Sequence, residues 1–314
     1  MKLLKDLKEG SNVSDIYYVK QKNSAVTKNG KCYYNVIVQD KSGQMDAKVW
    51  DPNGPGIEDF DTGDYVDIVG DVVVFNGATQ MRITRARIAH EGEYVTADYV
   101  PCSEYDVEAM YAEIIQMIER TKNEYLKSLL NKLFLEDEEF AAKIKFSSAA
   151  KSVHHGFVGG LVEHTLSVAK LCEFYAMQYK SLNRDLLVTA ALIHDLGKVR
   201  ELAPYPINDY SDDGNLLGHI VMGVELIGEK IKEIPGFPHV LESELKHCIL
   251  SHHGEYEYGS PKKPAIIEAV ALNFADNLDA KMETFKEAIA STESLDWMGF
   301  NRMLDSNIRI TNVE

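Results

Sequence analysis

The sequence has little cysteine and no long apolar run, and both absences narrow the classes of protein that it can encode. Four cysteines occur among the 314 residues, and no two of them form a CxxC pair. This usage predicts neither a disulfide framework nor a cysteine zinc site, and it favours a reducing, cytoplasmic location. No stretch approaches the roughly 20 consecutive apolar residues that a membrane helix requires, and the first residues lack the apolar segment of a signal peptide. We therefore expect no membrane partner.

Positive charge is scarce in the second part of the chain. The whole sequence has 33 Lys and Arg against 49 Asp and Glu, which gives a formal net charge of −16. Residues 1–90 contain 12 basic and 12 acidic residues, so the remaining residues carry all of the excess negative charge. Bulk electrostatic attraction therefore cannot bring a polyanion to the second part. An anionic substrate there needs local basic residues or metal ions.

The spacing of the apolar residues changes along the chain and predicts two domains. Up to about residue 90 it alternates, and five segments read as strands, separated by turn sequences such as DPNGPG and FNG. Five strands in this order are typical of a small closed Greek-key barrel such as the OB-fold. From Val107 onward the apolar residues recur at helical spacing. We therefore predict an OB-type β-barrel over residues 1–90, a linker over 91–104 and an all-α domain over 105–314.

One outer face of the predicted barrel combines aromatic rings with positive charge. In the string QMDAKVW, strand alternation puts Lys48 and Trp50 on the face opposite Ala47. The last strand turns three arginines outward, two of them after a predicted bulge. The candidate binding face consists of Tyr33, Lys48, Trp50, Arg82, Arg85 and Arg87. Rings beside cations suit single-stranded nucleic acid, whereas the alternative is that the rings cap the barrel and the cations are only solvated.

Histidine and aspartate interrupt the apolar faces of five predicted helical segments in the second part. In the string ALIHDLGK, His194 follows Ala191 at helical spacing and Asp195 is adjacent. The other segments contribute His164, His219, the pair His252 and His253, and Asp276. A lone buried histidine is usually a satisfied core residue, but each unpaired buried carboxylate would cost several kcal/mol. A group of these residues in one core therefore predicts bound cations.

The order and context of these residues resemble the H…HD…D signature of the HD-domain metal-dependent phosphohydrolases. The string HHGFVGGLVEHTLSV, with an OB-like domain before it, is similar in particular to the YhaM-type 3′→5′ exoribonucleases. The resemblance implies an all-helical HD domain over residues 105–314. It also implies hydrolysis of phosphodiester bonds in single-stranded RNA with release of nucleoside 5′-monophosphates, and single-stranded DNA is a further candidate substrate.

The same resemblance implies two divalent metal ions. His164, His194, Asp195 and Asp276 would hold the first ion, and His219, His252 and His253 the second, with Asp195 bridging. Mixed imidazole and carboxylate ligands suit Mn²⁺, Co²⁺, Fe²⁺ or Zn²⁺ better than Ca²⁺ or Mg²⁺, and we favour Mn²⁺. Two such ions can share a water and lower its pKa. Asp195 and Lys198 are the catalytic candidates, and Lys198 is expected to neutralise the scissile phosphate unless it is simply a solvated lysine at a helix end.

Three functions remain open at this point. The leading one is an exonuclease whose barrel holds the strand. The alternative is a phosphodiesterase of small or cyclic nucleotides, although Gly259-Ser260-Pro261 stands where two-metal enzymes that open cyclic dinucleotides carry a GYP element. The third is a non-catalytic RNA-binding protein with a structural metal, yet seven candidate ligands exceed what a closed four-coordinate site needs. The sequence is compatible with a homo-oligomer, and it leaves open whether His154 and His155 contact substrate.

Overall fold

The computed structural model of the protein describes residues 2–27, 29–75, 77–151, 155–290 and 296–311. Its contacts divide the chain into two compact units. The first unit comprises Met1–Cys102 together with Tyr205–Ile207. The second unit comprises Ser103–Pro204 together with Asn208–Glu314.

The first unit is a closed barrel of five strands, as the alternating apolar pattern predicts. The strands are β1 (Asn12–Val26), β2 (Cys32–Asp40), β3 (Gly43–Val49), β4 (Tyr65–Phe75) and β5 (Ala78–Ile88). They follow the order β1-β2-β3-β5-β4 around the barrel. The β3–β5 pair is parallel and the other four pairs are antiparallel. Strand number and closure are those of an OB-type barrel, so the predicted fold class of this unit is confirmed.

Strand alternation fills the barrel with β-branched and other apolar side chains. Val38, Val49 and Ile68 are completely buried, and Met81 on β5 points into the same core. The predicted bulge in β5 is confirmed, because Gly70 pairs with Ile83 and the preceding residue of β4 pairs with Arg85, which leaves one extra residue on β5. The register shift turns the two later arginines of β5 outward.

Residues 91–102, which are most of the predicted linker 91–104, pack tyrosines against one end of the β4 strand. The ring of Tyr94 stacks on Tyr65 with centroids 3.8 Å apart, and Tyr99 meets the same ring edge-on at 5.2 Å. Tyr18 completes this group from β1. The aromatic group lies outside the core of the barrel and is a separate buried cluster.

The second unit is mainly helical in its described residues up to 290. Its described residues form α1 (Val107–Glu119), α2 (Glu124–Asn131), α3 (Glu138–Phe146), α4 (Gly160–Gln178), α5 (Arg184–Ile193), α6 (Lys198–Glu201), α7 (Asp212–Lys232), α8 (His239–Ser251) and α9 (Ile267–Ala290). After α9 the chain forms a two-stranded antiparallel hairpin, β6 (Trp297–Asn301) with β7 (Ser306–Arg309). The all-α prediction thus needs a correction at its end, since these strands are too short to produce a clear alternating pattern.

The helices pack around α4 and α5, which supply much of one large core. Most residues of α5 are fully buried, and the first half of α4 is buried on all sides. The apolar stripe of α1, for example Ile114 and Ile118, enters the same core. Asn183 begins α5 by accepting a hydrogen bond from the amide of Leu186 at 3.2 Å, which satisfies one of the unpaired amides of the first turn. No helix in the described ranges is long and apolar enough to cross a membrane.

Candidate metal centre

Five parts of the second unit bring the seven predicted metal ligands to one place. Helix α4 supplies one ligand, the turn after α5 two, α7 one, the end of α8 two and α9 one. In chain order these are His164, His194, Asp195, His219, His252, His253 and Asp276. His194 and His252 are completely buried, and Asp195 is only 2 % exposed. These side chains are shielded from water, so a charged group among them needs an opposite charge or a metal ion nearby.

The first group contains two imidazole nitrogens and two carboxylate oxygens. His164 Nε2 lies 3.2 Å from His194 Nε2 and 3.2 Å from Asp276 Oδ1. The same nitrogen lies 3.3 Å from Asp195 Oδ2. His194 Nε2 completes the group at 3.5 Å from that carboxylate oxygen and 3.8 Å from Asp276 Oδ1. Four donor atoms at these separations can face one small cation.

The second group of candidate ligands faces the other carboxylate oxygen of Asp195. Asp195 Oδ1 is 3.5 Å from His219 Nε2 and 3.6 Å from His252 Nε2. Ligand atoms of His219, His252 and His253 lie within 4.8 Å of one another. The two carboxylate oxygens of Asp195 thus face different groups of histidines, which is the geometry that a bridging ligand requires.

The other ring nitrogen of each histidine already has an acceptor. His194 Nδ1 donates to the carbonyl of Ala191 at 2.8 Å, and His252 Nδ1 donates to that of Ile249 at 2.7 Å. In the neutral imidazole this fixes the proton on Nδ1 and leaves a lone pair on Nε2. The Nδ1 atoms of His253, His219 and His164 lie 2.7–3.0 Å from Tyr258 O, Glu201 Oε1 and Asp279 Oδ2 respectively. Such outer partners are what orient metal-binding histidines.

Buried polar atoms without a hydrogen-bond partner indicate whether cations would fit between these ligands. Among the buried side-chain atoms of the described residues, Asp195 Oδ1, His219 Nε2 and His252 Nε2 have no hydrogen-bond partner. Leaving a buried polar atom unsatisfied costs about 1–3 kcal/mol, and more when the group is charged. The three atoms converge on one point, so a divalent cation would satisfy them together.

The protonation states of His194, His252 and Asp195 favour the same conclusion, whereas hydrogen bonds to three carboxylates outweigh burial and raise the pKa of His164 well above its usual value. Burial lowers the pKa of His194, and it lowers the pKa of His252 well below the usual value, with the neighbouring His253 adding to the effect. Both rings are therefore neutral, as metal ligands must be. Burial alone would raise the pKa of Asp195, but the Lys198 ammonium beside it holds that pKa well below its usual range. Asp195 is therefore an anion.

Lys198 lies close to the centre but is occupied by an ion pair. Its ammonium nitrogen is 2.6 Å from Asp195 Oδ2, and its side chain is largely buried. This contact places a positive charge beside the first group of ligands. Whether the ammonium also contacts a substrate phosphate remains a prediction.

Three positions missed by the sequence analysis support the ligands from outside. Asp279 contacts His164, as described, and also accepts a hydrogen bond from the Ser167 hydroxyl. Its position three residues after Asp276 on α9 was a usable signal, since that spacing keeps both carboxylates on one face. Glu201 accepts from both the amide and the ring of His219, at 2.9 and 3.0 Å. The backbone at Gly218 (φ +74°) makes this double contact accessible.

The third missed position is His155, which the sequence left as a choice between substrate contact and surface. It is 3 % exposed, and its Nε2 lies 3.0 Å from Asp279 Oδ2. It is therefore part of the supporting structure behind His164. His154 lies outside the described residues.

The structure brings together the two aromatic residues of the candidate binding face on the barrel. The rings of Tyr33 and Trp50 stack with centroids 4.9 Å apart and planes 24° from parallel. The Lys48 ammonium lies 5.9 Å from the centroid of Tyr33 and is hydrogen-bonded to Asn35. Trp50 is 45 % exposed. It borders a cavity of about 310 Å³ that Arg82 also lines.

The three arginines of β5 differ in how far they are neutralised. Arg82 makes a two-pronged ion pair with Asp71 at 2.9 and 3.0 Å. Arg87 pairs with two carboxylates, those of Asp67 and Glu93. Arg85 has no carboxylate partner within the described residues. The positive charge available to a polyanion on this face therefore comes chiefly from Lys48 and Arg85.

Comparisons with known proteins find a family model for the helical unit and a relative that matches most of the chain. The family model "HD domain" matches residues 161–281. The chain is 34 % identical over 285 residues to the 3′-5′ exoribonuclease YhaM of Bacillus velezensis, a match that covers 89 % of this chain and 88 % of that protein.

Two solved structures of other proteins are among the structural neighbours. The second OB-fold domain of replication protein A from Methanococcus maripaludis aligns with 29 % of this chain and 96 % of its own, at 14 % identity and a TM-score of 0.24. The mitochondrial single-stranded DNA binding protein Rim1 from S. cerevisiae aligns with 27 % of this chain and 100 % of its own, at 14 % identity and a TM-score of 0.22.

Proposed function

Since the chain belongs to the family of YhaM 3′-5′ exoribonucleases, we propose that it is a metal-dependent enzyme that shortens single-stranded RNA from the 3′ end. The products would be nucleoside 5′-monophosphates. The observation that carries this proposal is Asp195, whose two carboxylate oxygens face two separate groups of histidine nitrogens. A structural metal would need one such group, not two sharing a carboxylate.

The two groups of ligands have distinct roles in this proposal. His164, His194 and Asp276 would hold one divalent cation and His219, His252 and His253 would hold the other, with Asp195 able to serve both. Mn²⁺ is the favoured ion, and Co²⁺, Fe²⁺ and Zn²⁺ suit the same donors. Two cations bound there would supply Lewis acidity toward a phosphate and would lower the pKa of a water. Lys198 holds Asp195 in its anionic form and adds a positive charge on the side where the phosphate arrives.

The barrel supplies affinity for the strand. Tyr33 and Trp50 offer a stacking surface, and base stacking on an aromatic ring is tolerant of sequence because every base has a π-face. Lys48 and Arg85 provide charge for the phosphates, with Arg82 and Arg87 as further contacts when they leave their carboxylate partners. These contacts do not read the 2′-hydroxyl, so single-stranded DNA is expected to bind the same face.

The direct test uses a 5′-labelled single-stranded RNA incubated with the protein and Mn²⁺ and resolved on a sequencing gel. We expect a ladder that shortens from the 3′ end, and no cleavage of a circular RNA of the same sequence, because a circle has no end. Cleavage of the circle, or turnover that is independent of polymer length, would contradict the exonuclease. The second result would favour the phosphodiesterase of small nucleotides.

The exposed face of α9 supports a proposal about assembly. Seven large apolar residues at intervals of three or four, each at least 36 % exposed, follow this face: Ile267, Val270, Phe274, Leu278, Met282, Phe285 and Ile289. Its buried face carries Ala269, Leu272 and Ala275 in the first half of the helix and the carboxylates of Asp279 and Glu283 in the second half. The second half is thus apolar outside and acidic inside, the reverse of an ordinary surface helix. An apolar stripe of this length on a soluble chain indicates an interaction surface.

We propose that the stripe pairs with the same stripe of a second copy. One straight helix face is self-complementary about a two-fold axis, as a symmetric dimer requires. Side chains that are each about half exposed would bury roughly 700 Å² per copy, close to the ~800 Å² of a stable interface. Light scattering after size exclusion should give a dimer or a larger oligomer, and Phe274→Glu should reduce the mass. Val240→Glu is the control, since Val240 is equally exposed on α8. A monomeric wild-type protein would contradict the proposal.

A further inference from the structure

A second group of buried carboxylates lies behind the metal centre. His164 points Nε2 toward the candidate ligands and Nδ1 toward Asp279, so Asp279 lies on the opposite side of the ring. Glu163 and Glu283 are near it, and all three carboxylates belong to residues that are only 8 % exposed. Burying three acidic groups together is costly unless positive charge compensates them.

The compensation that the described residues provide is incomplete. Asp279 has three hydrogen-bond partners, namely His155, His164 and Ser167. The two glutamates share one ammonium group, that of Lys286, which is 3.3 Å from Glu283 and 3.9 Å from Glu163. A further partner of Glu163 besides His155 is neutral, since the Ser103 hydroxyl donates to Glu163 Oε2 at 2.5 Å. The Lys286 side chain is 44 % exposed and lies on the last turns of α9. It can swing into solvent at little cost, because long lysine side chains keep their charge in water.

His155 directs an unused nitrogen at these glutamates. With Nε2 on Asp279, its Nδ1 has no hydrogen-bond partner among the described residues although the ring is buried. That nitrogen is 3.7 Å from Glu163 Oε1. The backbone of His155 has φ +60°, a conformation uncommon for a residue with a side chain, so the surroundings hold it in place. When Nε2 carries the proton, Nδ1 presents a lone pair.

These groups border a cavity that is large enough for a hydrated ion. It has a volume of about 460 Å³, and its lining includes His155, Glu163, Glu283 and Lys286. One ligand atom from each of His155, Glu163 and Glu283 lies within 4.8 Å of the others. Three protein ligands with open space beside them leave room for water in the remaining coordination positions.

We propose that His155 Nδ1, Glu163 and Glu283 bind a third divalent cation, separate from the two ions of the proposed exonuclease centre. One imidazole with two carboxylates suits Mn²⁺, Fe²⁺, Co²⁺ or Zn²⁺. The ion takes the place of the Lys286 ammonium, and it neutralises both glutamates. His155 also contacts Asp279, and Asp279 contacts His164. The third site is therefore next to the carboxylate that orients His164, a candidate ligand of the first metal ion.

The experiment counts Mn²⁺ bound to the full chain, by electron paramagnetic resonance of free Mn²⁺ during titration. We expect three ions per wild-type chain. Glu283→Gln keeps the size of the side chain but removes its charge, and should weaken one of the three sites at least about a hundredfold, beyond what losing an outer partner costs. The other two sites should be retained. Circular dichroism checks that the variant is folded.

Lys286→Met supplies a variant with the opposite expected effect. If the ammonium competes with the ion, its removal should tighten the third site about tenfold, whereas a lysine that merely belongs to the fold would give no such gain. A wild-type count of two, a Glu283→Gln count of three, or unchanged or weaker binding in Lys286→Met would overturn the proposal. The count is independent of the exonuclease assay. A protein with two ions and normal 3′ shortening would refute only the third site, and one with three ions and no shortening only the proposed activity.

Discussion

Replacing Asp195 with asparagine should lower the rate of RNA hydrolysis at least about a thousandfold and remove most of the bound metal. The asparagine keeps the shape of the side chain but loses the negative charge that faces both groups of histidines. The metal ions are expected to supply several kcal/mol of transition-state stabilisation, and about 4 kcal/mol corresponds to a thousandfold in rate. Gel assays would measure the rate, and elemental analysis of the dialysed protein would measure the metal.

Two further variants make this result interpretable. Asp185→Asn is a matched control, because Asp185 accepts hydrogen bonds from backbone amides at the other end of α5 and should leave the metal content unchanged. His219→Ala should empty the second group of ligands and retain the ion of the first. Equal loss of both ions in His219→Ala would mean that the division of ligands is wrong. Full activity with normal metal content in Asp195→Asn would contradict the two-metal proposal.

The sequence could reveal the candidate ligands because each interrupts a helical apolar pattern. His164 and Asp276 stand out where an apolar residue is expected, and the HD pair follows a segment that is otherwise buried. The same reasoning works for strands, since alternation turned Lys48 and Trp50 outward as observed. Patterns within one element therefore carry information about which side of that element a residue occupies.

The residues that support the candidate ligands could not be predicted in this way. Their roles come from contacts between different elements, and the residue pattern of a single element carries no information about such contacts. Glu201 contacts His219 next to the backbone kink at Gly218. The position of His155 depends on an unusual backbone conformation just before α4. The pairing of Arg82 with Asp71 depends on the register of β4 against β5. That register lowers the positive charge expected on the outer face of the barrel, because Asp71 neutralises an arginine that the strand pattern turns outward.

Removal of the Trp50 ring should separate the contribution of the barrel from that of the metal centre. Stacking of one base on an aromatic side chain is worth about 1–3 kcal/mol, so Trp50→Ala should weaken binding of a long single strand by roughly 5- to 150-fold at 1.4 kcal/mol per decade. Tyr33 would lose its stacking partner as well. We expect the loss in KM for long RNA and in the number of nucleotides removed per binding event.

A dinucleotide distinguishes this role from a general loss of activity. Once its bases are engaged at the centre, it offers no further base to a second binding surface, so Trp50→Ala should leave its turnover nearly unchanged. Phe75→Ala is the matched control, because Phe75 is an exposed aromatic residue of the same barrel that does not line the Trp50 cavity. Lys48→Ala should reduce the slope of the salt dependence of binding by about 0.7 for each phosphate of a single strand that the lysine neutralises. Equal effects of Trp50→Ala on the long strand and the dinucleotide, or no effect on either, would mean that the barrel does not hold the strand, and the phosphodiesterase of small nucleotides would then be the better account of the centre.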